Sequence, residues 1–194
     1  MKLKAVLISV LAVFLLAMVG CGSNSTASKS ANSDNSSSQS VKKDKKKADM
    51  SAVMDFELNM IEDIHVAIKP VNDLVSLGSA DSFDAKTVKT SADAAAKSAQ
   101  DYATKINNYK MPSGMSKATQ TKVKSALSDL ATSFQQRSDA AKACANATSK
   151  SELQKDVAKI DTTSKDSFQS FQDKMDAVHK NIGLISSNFS LELQ

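Results

Sequence analysis

This chain is short of the residues from which most sites are built. Its 194 residues include no tryptophan, two tyrosines, two histidines, two cysteines, two prolines and five glycines. Too few glycines exist for a phosphate-cradling loop, and no C-x-x-C pair offers thiolates to a metal or a redox partner. No G-x-S-x-G elbow is present. Ser40–Lys43 matches S-x-x-K, but none of the partner motifs that acyl transfer needs accompany it. Glycans and single-stranded nucleic acids are commonly held on stacked aromatics, and Tyr102 with Tyr109 makes a thin platform. No stretch alternates apolar and polar residues as a half-buried strand does. A non-enzymatic, all-α protein is the expectation.

What is present begins with a sharp boundary. Met1–Lys4 is basic, Ala5–Gly20 is almost wholly apolar, and Gly20-Cys21 opens onto serine, asparagine and lysine. About 20 apolar residues span a bilayer, so this run suits a secretory signal better than a membrane helix. The segment resembles a bacterial lipoprotein signal with its lipobox, although Met18 stands where leucine is usual. That resemblance, closest to Gram-positive lipoproteins, implies removal of residues 1–20 and lipidation of Cys21. Two or more acyl chains, at about 0.8 kcal/mol per buried CH₂, make such anchoring stable.

Residues 21–48 read as a Ser/Asn/Lys-rich tether that buries too little surface to order itself, spanning on the order of 30 Å as a flexible coil. The tether also explains the charge. Loss of Lys2 and Lys4 takes the formal +4 to +2, and Lys42, Lys43, Lys45, Lys46 and Lys47 with Asp44 carry +4 themselves. The remainder from Ala48 onward is therefore −2. The basic character is confined to a membrane- or wall-proximal cluster and gives no support to nucleic-acid binding.

Residues 49–194 carry four amphipathic patterns and read as an antiparallel up-down-up-down four-helix bundle. The first, about Asp49–Leu77, lines Met50, Met54, Leu58, Ile61, Ile64, Ile68, Val71 and Val75 on one side, with a kink or break at Pro70. The second, about Ala85–Tyr109, has a seam of alanines with Val88, Tyr102 and Ile106. The third, about Ser116–Ala147, carries Val123, Leu127, Leu130, Phe134 and Cys144. The fourth opens with a capping box, Ser149 and Glu152, and continues the stripe from Leu153 through Ile182, Ile185 and Phe189. Long helices also admit a coiled coil or a helix-swapped homodimer.

Two carboxylate–histidine pairs, Glu62–His65 and Asp176–His179, have the i, i+3 spacing of half a di-iron site. The second and third helices contain no glutamate to complete it, and the histidines differ in level by on the order of 10 Å. Both histidines flank the stripe, so surface or boundary positions are expected, with no metal and no cofactor. Cys144 is expected to be a small core residue.

The layout is similar to that of small helical lipoproteins described as cell-wall-binding in Gram-positive bacteria. These features imply a lipid-anchored, extracytoplasmic bundle with a binding or scaffold role at the outer face of the cell membrane. Its partners would be the membrane, through the anchor, and an envelope protein or wall polymer. The alternatives are a small-ligand or metal carrier, a phage-exclusion or immunity lipoprotein, and a pheromone released from the signal fragment.

Overall fold

A computed structural model describes residues 36–193, so Cys21, the apolar run before it and the first part of the tether lie outside the described residues. Four helices pack into a bundle: α1 (Ser36–Ser79), α2 (Ala85–Asn107), α3 (Lys117–Cys144) and α4 (Lys150–Ile182). A short 3₁₀ turn, Phe189–Leu193, follows. Each helix packs on its sequence neighbour, and α4 returns to α1.

Local chemistry sets the boundaries. Asp84, Ser116 and Ser149 are N-caps, each side chain accepting from the backbone N–H three residues on. An unpaired first-turn donor is thereby satisfied at each start. The expected box at Ser149 is present in shifted form. Glu152 accepts chiefly from the N–H and hydroxyl of Thr148, the residue before the cap.

The structure departs from the sequence reading at four places. Helix α1 starts at Ser36 instead of near Asp49, so Ser36–Ala48, read as tether, is helical. Lysine, glutamine and alanine favour helix, and extending an existing helix avoids the cost of nucleation. The helix also runs unbroken through Pro70, with Ile68, Val71 and Leu74 buried on both sides of it.

Its core face is rotated as well. In its first half Val53, Phe56 and Met60 are buried, whereas Met54 and Leu58 are 50% and 68% exposed; from Ile64 through Ile68 and Val71 the expected stripe is the buried one. Both sets obey 3–4 spacing, so periodicity alone could not choose between them. Finally, α4 stops at Ile182. Gly183 takes the left-handed conformation (φ 86°), and its N–H bonds to the carbonyl of His179. Ile185 is consequently 81% exposed, while Phe189 is buried by a chain that folds back.

The core is unusual for its small residues. Ala92, Ala95, Ala96, Ala99 and Ala103 bring α2 close enough for buried Ser138 of α3 to donate its hydroxyl to the Ala96 carbonyl at 2.8 Å. Ser98 reaches the Ala67 carbonyl on α1 in the same way, at 3.0 Å. Helices α1 and α4 meet closely at Gly78, where an added Cβ would lie 2.8 Å from Cγ2 of Val157.

Candidate functional site

The chemistry-bearing side chains gather where α1, α4 and the C-terminal tail meet. His179, on the last turn of α4, is completely buried, which corrects its expected place on the surface or boundary. Its Nδ1 accepts the N–H of Ser187 at 3.4 Å, so the ring proton sits on Nε2 and is donated to Oε1 of Glu57 at 2.5 Å. Glu57 is itself buried, on α1. A polar pair withdrawn from water in this way persists only because each member satisfies the other. Ser187 contributes its backbone N–H to this contact.

Above this pair the tail is pinned to α4. The carboxamide of Gln172 donates to the Ser187 carbonyl at 2.5 Å and accepts the N–H of Phe189 at 2.9 Å. Phe189 is fully enclosed, its ring centroid 5.0 Å from Phe171 and 6.5 Å from His179. Asn188 then turns the chain by accepting the N–H and hydroxyl of Ser190. Glu192 ends the strap on α1, its Oε2 taking the Nε2 proton of His65 at 2.5 Å.

The carboxylate–histidine spacings noted within single helices do not bring those residues together as pairs. Each histidine takes its carboxylate from another element: Glu57 in place of Asp176, Glu192 in place of Glu62. Asp176 accepts from Gln172 instead. Glu57 marks the level of His179, and His65 lies two turns further along α1, about 12 Å at 1.5 Å per residue. No group of three or more His, Cys, Asp or Glu that could hold a metal ion exists among the described residues.

The aromatic residues are also turned inward. Tyr102 is buried edge-on against Phe134 at 4.6 Å, and Tyr109, the more exposed of the two, is half-buried edge-on against Phe56 at 5.6 Å. The Tyr109 hydroxyl donates to Asp63 at 2.6 Å, as does the ammonium of Lys105. Burial, followed by the hydrogen bond to Asp63, raises the Tyr109 phenol above its ordinary range. Cys144 is buried, and burial with the nearby Asp156 charge pushes its thiol up to about 11, so it is a neutral packing residue at pH 7.

Two polar features escaped sequence reading. Asp49 of α1 caps α3 from outside, accepting the Ser116 N–H at 2.5 Å and the hydroxyls of Ser116 and Thr119 at 2.8 Å each. Arg137 of α3 is buried and reaches Asp161 of α4 at 2.9 Å. Burial lowers its guanidinium from the ordinary value, with Asp161 opposing.

At the other end of the functional expectations, Lys42 lies within α1, and Lys43, Lys45, Lys46 and Lys47 are exposed on it. Among the described residues no helix is long and apolar enough to cross a membrane. A scan against protein-family models, a search of curated proteins and a search of solved structures each return no match to this chain.

Proposed function

We propose that this protein is a lipid-anchored component of the bacterial cell envelope whose helical bundle binds or scaffolds other envelope components without catalysing a reaction. The observation that carries this reading is the boundary at Gly20-Cys21, where a basic start and a short apolar run give way to polar sequence at a cysteine. Cys21 would be the attachment point, on the outer face of the cell membrane. The exposed lysines at the start of α1 support the orientation, since each basic residue near an anionic surface contributes about 1 kcal/mol. A binding role, with an envelope protein or wall polymer as partner, is favoured by how the reactive groups are used. Both histidines, both tyrosines and Cys144 are committed to contacts within the fold.

Replacing Cys21 by Ala tests the anchor. The variant is expected to leave the membrane fraction and to lose the mass of its acyl chains. Undiminished membrane retention of Cys21→Ala, with an unmodified parent of the same mass as its sequence, would overturn the reading.

A further inference from the structure

On the outer side of the α2–α3 seam the two helices leave an open cleft of about 310 Å³. Helical periodicity builds it from two facing rows. Gln100, Ala103 and Asn107 recur on α2 at three- and four-residue spacing, as do Ser128, Ala131 and Gln135 on α3. Ala103 and Ala131 are buried and make the floor, while amide and hydroxyl side chains make the walls. No charged side chain lines it. Toward the α2–α3 loop a second cleft, of about 240 Å³, shares Asn107 and Ser128 and continues to Tyr109, Met111 and Lys124. Together the two follow α3 from Lys124 to Gln136, about 18 Å at 1.5 Å per residue.

Unused hydrogen-bonding capacity sets this place apart. Elsewhere in the bundle amide side chains are committed locally. Asn59 and Asn181 donate to the carbonyl four residues back, and Gln169 and Gln172 to a carboxylate four residues on. The carboxamides of Gln100, Asn107 and Gln136 and the hydroxyl of Ser128 make no hydrogen bond among the described residues. The Oε1 of Gln136 is also closed off from water, and a buried acceptor left unpaired is costly. Turning that carboxamide about its last bond presents the oxygen to the cleft, where a ligand hydroxyl satisfies it.

Each carboxamide is donor and acceptor at once, so it matches groups of the same dual character, which the hydroxyls of a sugar have. A charged polymer finds no counter-charge in the larger cleft. An extended peptide is recognised at a sheet edge or through apolar pockets, and helical walls over an alanine floor offer neither.

We propose that the α2–α3 cleft binds a short stretch of uncharged saccharide, with Gln100, Asn107, Ser128 and Gln136 pairing its hydroxyls. This rests on the binding role proposed above and names the partner's chemistry. The cleft owes nothing to Cys21, so Cys21→Ala tests the anchor alone and leaves saccharide binding unchanged.

Saturation-transfer NMR on the full chain, with tri-N-acetylchitotriose and maltotriose as probes, reads weak binding from the ligand side. Saturable transfer to at least one of them is expected, with a Kd on the order of 1 mM or tighter. Gln100→Ala combined with Gln136→Ala should weaken binding about tenfold or more. Gln154→Ala, at an exposed amide on α4, should leave it unchanged. No transfer to either sugar from a chain that keeps its helical circular dichroism overturns the proposal. Binding that the paired glutamine substitution leaves intact overturns it too, since the sugar then sits elsewhere. Displacement of the sugar by N-acetyl-tetraglycine amide assigns the cleft to peptide main chain and overturns the saccharide.

Discussion

The α2–α3 seam and the α1–α4 seam solve the same packing problem in opposite ways. Between α2 and α3 alanines line much of the α2 face beside the Tyr102–Phe134 pair, and at Ala96 the backbones approach until a serine hydroxyl meets the neighbouring helix's carbonyl. Two helices are enough. The α1–α4 seam is close at Gly78 and Val157. Toward the other end it holds the Glu57–His179 pair, and a third element, the tail, packs Phe189 against Phe171 of α4. A seam of small residues seals itself by backbone approach. The seam that holds a buried polar pair is completed by a third part of the chain, the tail that seats Phe189.

The sharpest way to break this contrast is to remove the same side chain from each seam. Phe134 and Phe189 are both fully buried. Phe134→Ala, inside the self-sealed part, should cost about 3–5 kcal/mol in chemical denaturation. Phe189→Ala can cost only the free energy of seating the tail, no more than about 2 kcal/mol, because the tail can lift while the helices stay packed. Equal losses would mean that the tail is an integral part of the core and that the two seams do not differ in kind.

A smaller effect tests how α1 is held independently of the tail. Burial alone would raise the Asp49 carboxyl; the hydrogen bonds from the Ser116 N–H and from the Ser116 and Thr119 hydroxyls outweigh it and hold the group below its ordinary 3.8. A carboxyl depressed in the folded state adds stability that is complete above the unfolded value, about 3.9, and is lost as pH falls through the folded value. Asp49→Asn should therefore cost about 1 kcal/mol at pH 7, and its deficit against the parent should shrink below about pH 4. A deficit constant from pH 7 to pH 3 in urea titrations would show that the charge of Asp49 is not what ties α1 to α3.

Legibility from sequence followed the range of the interaction. The bounds of α2 and α3, the cap at Ser149 and the buried alanine seam are all local or periodic signals, and they were readable. The end of α4 was not. Ile182, Ile185 and Phe189 keep the 3–4 spacing straight through Gly183, so a pattern that ends in a left-handed glycine looks like one that continues. The surroundings of His179 were invisible for a different reason. Its partner Glu57 is 122 residues away and sits on the core side of α1 among apolar neighbours, where a carboxylate reads as an interruption. Asp49 capping a helix from 67 residues away belongs to the same class.

The smallest expected effect concerns Leu58, which periodicity placed in the core and the structure leaves 68% exposed beside Glu57. If the core face is the one through Val53, Phe56, Met60 and Ile64, Leu58→Ser removes almost no buried surface and should change stability by no more than about 0.5 kcal/mol. A buried leucine at the same position would cost several times that on truncation. A loss above about 2 kcal/mol would return Leu58 to the core and rotate α1. Glu57, about 100° away on the same helix, would turn with it and lose His179. A near-neutral Leu58→Ser instead keeps Val53, Phe56 and Met60 as the core face in the first half of α1.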